Sequence, residues 1–144
     1  MKTLDRSPFA EICRELLGME RSAFENYTQA LEFYRDDPLQ SMLLSIRSSH
    51  DENLGFLVEQ LGASATDDAS HPDRFSSAIE GASAIFGEGA ALMALEAGEA
   101  EAAKAYYDAI VNPNLPQFFK DEVRDNLLPR VKANMLELEM ARTT

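Results

Sequence analysis

Two glutamates stand where an apolar residue would complete a stripe. Glu20 shares a helical face with Leu16, Ala23 and Tyr27, and Glu99 shares one with Leu95, Ala102 and Tyr106. Offsets of three, four and seven residues put side chains on one side of a helix. A carboxylate in such a stripe carries information, because a charge is seldom buried without a partner. The two stretches also match each other position by position: Glu20 with Glu99, Ala23 with Ala102, Tyr27 with Tyr106, Ala30 with Ala109. A Glu-x6-Tyr spacing found once in each half suggests an ancient duplication of a helix pair. Two further groups lie between and after these stretches, Arg47-x-x-His50 and Lys132-x-x-Met135, each with a cation three residues before a nitrogenous or soft side chain. Carboxylates and imidazole are ligands for divalent metals. Carboxylates and cations can instead neutralise one another inside a core.

The elements that position these groups are helical. Ser7-Pro8 opens helix 1, with serine as a cap and proline at the first helical position, where its missing N–H costs nothing. Its stripe is Phe9, Ile12, Leu16, Ala23, Tyr27, Ala30 and Tyr34, and it ends near Arg35-Asp36. Asp37-Pro38-Leu39-Gln40 reads as a variant capping box for helix 2. The stripe of helix 2 is Leu39, Leu43, Ile46, His50, Leu54, Leu57 and Leu61, and Gly62 is a natural stop. Ala63 to Pro72 reads as an acidic loop containing His71, and the apolar positions from Phe75 to Phe86 as a short extra helix. Gly87-Glu88-Gly89 breaks the pattern before helix 3, from about Ala90 to Val111, with Leu92, Leu95, Glu99, Ala102, Tyr106 and Ile110 inward. Helix 4 starts at Pro116 and runs to about Arg142. Pro129 imposes a local bend, and the spacing continues through Leu128, Val131, Met135 and Leu138. Four amphipathic helices with mostly short links define an all-α, antiparallel four-helix bundle, a single domain over residues 1–144.

Bulk properties limit what such a bundle does. The 144 residues suffice for one continuous core, and 45% are hydrophobic. The formal charge is −12, from 25 acidic and 13 basic residues. That field repels nucleic acid and anionic membrane; it suits solubility, as a plain acidic surface, or a basic protein partner. Cys13 is the only cysteine, so no intramolecular disulfide or cysteine cluster forms, and its apolar neighbours Phe9, Ile12 and Leu16 indicate a buried thiol. No apolar run approaches the ~18 residues of a membrane span, and the first residues lack a secretory signal region. The expected location is the cytoplasm. No nucleophile elbow, phosphate loop, dinucleotide fingerprint or His-Glu-x-x-His motif is present.

The chain resembles the ferritin-like superfamily, and more closely a small bacterial branch of rubrerythrin-related stress proteins, a domain of unknown function. The resemblance covers about Leu16 to Met140. It rests on Glu20 and Tyr27, on His50 followed by Leu57-Val58-Glu59-Gln60-Leu61-Gly62, and on Gly98-Glu99 with Tyr106-Tyr107. It implies a ferritin-like bundle with a short extra helix between helices 2 and 3. Active members of the superfamily hold two irons with one Glu from each of two helices and a Glu-x-x-His from each of the others. Carried over residue by residue, Glu20, His50 and Glu99 match. Arg47 and Lys132 stand where bridging glutamates belong, and Met135 replaces the second histidine. Cations in those places repel a divalent metal, so the resemblance implies a degenerate site with no metal and no cofactor expected.

In place of metal, Arg47 and Lys132 are expected to neutralise Glu20 and Glu99 in buried or half-buried ion pairs. The plainer reading is that both long side chains run from the stripe edge to water. His50 is a hydrogen-bonded core histidine or a ligand, and Tyr27 and Tyr106 are packed aromatics with tethered hydroxyls rather than redox groups. The first functional expectation is a non-enzymatic, stress-associated bundle acting through a homodimer or an unidentified protein partner. The alternative is a divergent metal or redox protein holding iron or another divalent ion on Glu20, His50 and Glu99.

Overall fold

A computed structural model describes residues 7–35, 38–62 and 88–143. Every element among them is helical, and four helical rods pack together. Helix α1 spans Pro8–Phe33, α2 Gln40–Leu61 and α3 Glu88–Ile110. The fourth rod is continuous but changes pitch. It comprises α4 (Gln117–Glu122), a π-helical turn (Val123–Leu127) and α5 (Leu128–Thr143). The expected extra helix and the acidic loop with His71 lie outside the described residues, as does Gly87.

The helix ends follow local chemistry. Ser7 caps α1, its hydroxyl accepting from the Ala10 N–H at 3.2 Å. The expected capping box of α2 is not what starts that helix. Gln40 is its first residue, Leu39 precedes it without a side-chain cap bond, and Asp37 is outside the described residues. The Gln40 amide serves α1 instead, donating to the backbone carbonyls of Leu31 at 2.7 Å and Tyr34 at 2.8 Å. These carbonyls belong to the last turn of α1, where no intrahelical donor remains. At the far end of α2, Gly62 takes a φ of 57°, which glycine adopts without steric cost. Helix α3 begins at Glu88, so Gly89 is helical rather than a break.

The fourth rod departs most from expectation. Pro116 precedes the first helical residue, and both Phe119 and Lys120 N–H groups bond to its carbonyl at 3.2 Å. Pro129 has no N–H to give. One turn before it the ladder opens by a residue, and the Leu128 N–H reaches back to the Val123 carbonyl. A π-turn of this kind moves the carbonyl that a proline ring would otherwise strike. It also lets the consecutive residues Leu127 and Leu128 both face inward.

The core is divided. One apolar cluster joins the start of α1 (Cys13, Leu16, Leu17) with the ends of α2 and α3 (Leu57, Tyr106) and the start of the fourth rod (Phe119, Val123, Leu127). The other joins the end of α1 (Tyr27, Ala30, Tyr34) with the starts of α2 and α3 (Leu43, Ile46, Leu95) and Leu138 near the end of α5. Cys13 is buried, and desolvation pushes its thiol up to about 12, an inert group. Helix α1 packs chiefly on α2, and α3 on the fourth rod. Among the described residues no helix is long and apolar enough to cross a membrane.

Candidate functional site: a charged layer between two apolar clusters

Between the two clusters lies a polar layer of seven fully or nearly fully buried residues: Glu20, Ser22, Asn26, His50, Asn53, Glu99 and Asn134. All four rods contribute. His50 on α2 is its centre. Nδ1 of His50 lies 2.7 Å from Glu20 Oε1 on α1, and Nε2 lies 2.6 Å from Glu99 Oε2 on α3. All three side chains are 0% exposed.

The protonation state follows from these contacts. Burial disfavours a charged imidazole, but the negative charges and hydrogen bonds of Glu20 and Glu99 outweigh it and raise the His50 pKa to about 10. At neutral pH the ring is an imidazolium, and both N–H groups donate, one to each carboxylate. Tyr27 stacks beside it, with ring centroids 5.4 Å apart and planes 24° from parallel. An aromatic face next to a cation adds electrostatic attraction.

The two glutamates are not equally served. Glu99 accepts from His50, from the Tyr27 hydroxyl at 2.6 Å, and from the Asn134 amide at 3.3 Å. Glu20 accepts from His50 on Oε1, while its buried Oε2 makes no hydrogen bond. The Tyr106 hydroxyl is turned toward Glu20 and Asn53 but meets neither in hydrogen-bond geometry. Burial first, then the nearby carboxylates, raise the pKa of both Tyr27 and Tyr106 well above the ordinary tyrosine value. Both hydroxyls therefore stay protonated.

A second set of bonds joins the layer to the π-turn. The Asn53 amide donates to the Leu127 carbonyl at 3.3 Å and accepts from Arg130 Nη1 at 3.0 Å. Arg130 Nε also lies 3.0 Å from Glu52. Helix α2 and the fourth rod are thus tied beside the pitch change.

The structure brings Glu20, His50, Glu99, Tyr27 and Tyr106 together and leaves Arg47, Lys132 and Met135 outside. The expected ion pairs of Arg47 and Lys132 with the glutamates are not formed. Arg47 turns outward, donating to Thr28 Oγ1 at 3.1 Å and lying 5.1 Å from the centroid of the Phe24 ring. Lys132 is exposed and Met135 half-buried. The cation that faces the carboxylates is His50 itself, whose two N–H groups reach one oxygen of each and whose single charge offsets one of the two. Sequence reasoning missed Asn53, Arg130 and Asn134. The signal for Asn134 was present: it continues the spacing from Val131 to Leu138 as well as Met135 does, and a preference for the apolar residue hid it.

The donor set bears directly on metal binding. The two ring nitrogens of His50 point away from each other, so Glu20 and Glu99 lie on opposite flanks of the ring and do not converge with it on one point. No group of three or more His, Cys, Asp or Glu among the described residues is placed to hold an ion. The set does not fit a two-iron centre. A surface groove of about 310 Å³ between α1 and α3, floored by Leu16 and Met19 and edged by Glu15, Glu101 and Asp108, is separate from the layer.

Fold and site together define a class, an all-helical bundle of four packed helices with a charged mid-core layer. No family model matches the chain, and neither a curated protein nor a solved structure matches it.

Proposed function

We propose that the chain is a ferritin-like, antiparallel four-helix bundle in which an imidazolium occupies the place of the metals, and that it acts without catalysis through protein contacts, self-association included. The observation that carries this reading is His50, whose two nitrogens are both committed to carboxylates. A histidine in that state offers no lone pair to a metal. The antiparallel arrangement is supported by the composition of the two apolar clusters: one combines the start of α1 with the ends of α2 and α3 and the start of the fourth rod, and the other combines the end of α1 with the starts of α2 and α3 and the end of α5. The bacterial, stress-associated setting comes from the resemblance alone and belongs to this proposal.

A second reading keeps Glu20, His50 and Glu99 as ligands for iron or another divalent metal. What favours it is Glu20 Oε2, a buried carboxylate oxygen without a hydrogen bond. Elemental analysis separates the two, on protein purified aerobically and again after anaerobic iron loading. Near-zero metal in both supports the proposed function. Stoichiometric metal, lost in Glu20→Gln, overturns it.

A further inference from the structure

Helix α3 is apolar on two sides. Its inner stripe builds the core. Its outer face carries Met93, Ala97, Ala100, Lys104 and Tyr107, and Val111, one residue past its end, continues the line; all are exposed, with Met93 at 58%, Tyr107 at 59% and Val111 at 60%. The steps between them are four, three, four, three and four residues, the spacing of a seam between two helices. A solvent face normally carries charge, and a helix apolar all round is normally covered. One cation, Lys104, interrupts the seam, and it is the only basic residue of α3.

We infer that this face is the contact between two copies of the chain, paired α3 against α3 in opposite directions about a two-fold axis. The pattern is self-complementary in that orientation. Met93 meets the second copy's Val111, Ala97 meets its Tyr107, and Ala100 meets its Lys104. Each long side chain of the inner two pairs lies over an alanine, the large-against-small alternation that lets helices interdigitate. Charge agrees with size. Lys104 of each copy comes beside Glu101 of the other, next to the alanine it covers, so the seam's two cations and two of its carboxylates alternate around the axis. A two-fold contact requires such a patch to fit itself. The stripe covers roughly 27 Å of helix, a short contact, and a dissociation constant on the order of micromolar is expected.

This inference rests on the reading that the bundle works through protein contacts, and it names the surface. The test is sedimentation velocity of the full chain at about 100 µM, above the expected dissociation constant. The wild type and Leu44→Glu, a change to an exposed residue on α2, should sediment as dimers. Tyr107→Glu and Lys104→Glu should each raise the dissociation constant at least about tenfold, with circular dichroism showing unchanged helix content. Both residues are exposed, so loss of folding does not confuse the result. A monomeric wild type, or a Tyr107→Glu chain that remains fully dimeric, overturns the inference. Metal content reports on the functional reading separately. A dimer that binds iron would sink that reading and leave the surface standing.

Discussion

Glu20 and Glu99 occupy equivalent places in the two halves of the chain, and the structure treats them differently. Glu99 has three donors, while Glu20 has one and keeps a buried oxygen without a hydrogen bond. Tyr27 bonds to Glu99 across the bundle, but its counterpart Tyr106 only faces Glu20. The first half carries a further cost at Asn26, buried with neither amide atom hydrogen-bonded. Of the two carboxylates, one is an anchored charge and the other a tolerated one. One histidine serves both, and Glu99 alone has the Tyr27 and Asn134 donors as well.

The severest way to break the layer is to remove what the two glutamates share. His50→Leu leaves two buried carboxylates without a cation and should destabilise the fold by about 3–5 kcal/mol or more in urea titration. Replacing all three residues with apolar side chains should cost much less. A triple variant as unstable as His50→Leu would refute the charge argument. Next comes the comparison itself: Glu99→Ala should cost about 3–5 kcal/mol and Glu20→Ala about 1–3 kcal/mol, since the latter also removes an unsatisfied oxygen. Equal losses would mean that the hydrogen-bond inventory does not set their worth.

The pH dependence isolates the histidine. Its folded pKa of about 10 lies above the ordinary 6.5, so the protonated form favours the native state. That contribution is complete below pH 6.5, declines as pH rises above it, and is gone once pH passes about 10. Urea midpoints of the wild type should fall across this window relative to those of His50→Gln. Parallel profiles would show that His50 is neutral. The smallest effects concern the tyrosines. Tyr27→Phe should cost about 1.5–3 kcal/mol, the worth of a hydrogen bond to a charged acceptor, whereas Tyr106→Phe should change stability by less than about 0.5 kcal/mol.

The helices were readable because apolar spacing recurs over more than twenty residues, and Ser7-Pro8 and Gly62 mark helix ends by rules that act locally. The inward placement of Glu20, His50 and Glu99 was readable for the same reason. What the glutamates pair with was not. Arg47 and Lys132 lie close to the stripe in spacing, but spacing does not say whether a flexible cation bends inward or toward water. Desolvation decides that, and it favours the imidazole already inside. Asn53 was hidden beside Leu54, and its role depends on a carbonyl in the π-turn, a pitch change that Pro129 announces only as a bend. Gln40 was assigned to its own helix, while its partners lie six and nine residues earlier on another.

The bonds that cross between the two helix pairs have a consequence for the order of events in folding. Helices α1 and α2 meet through contacts close in sequence, as do α3 and the fourth rod. The Tyr27–Glu99, His50–Glu99 and Asn53–Leu127 bonds join residues 72, 49 and 74 positions apart. Closing such long loops is entropically expensive, and buried charges reward it only when all partners arrive together. The layer is therefore expected to complete after the barrier, so that His50→Leu speeds unfolding in stopped-flow urea jumps and leaves the refolding rate nearly unchanged.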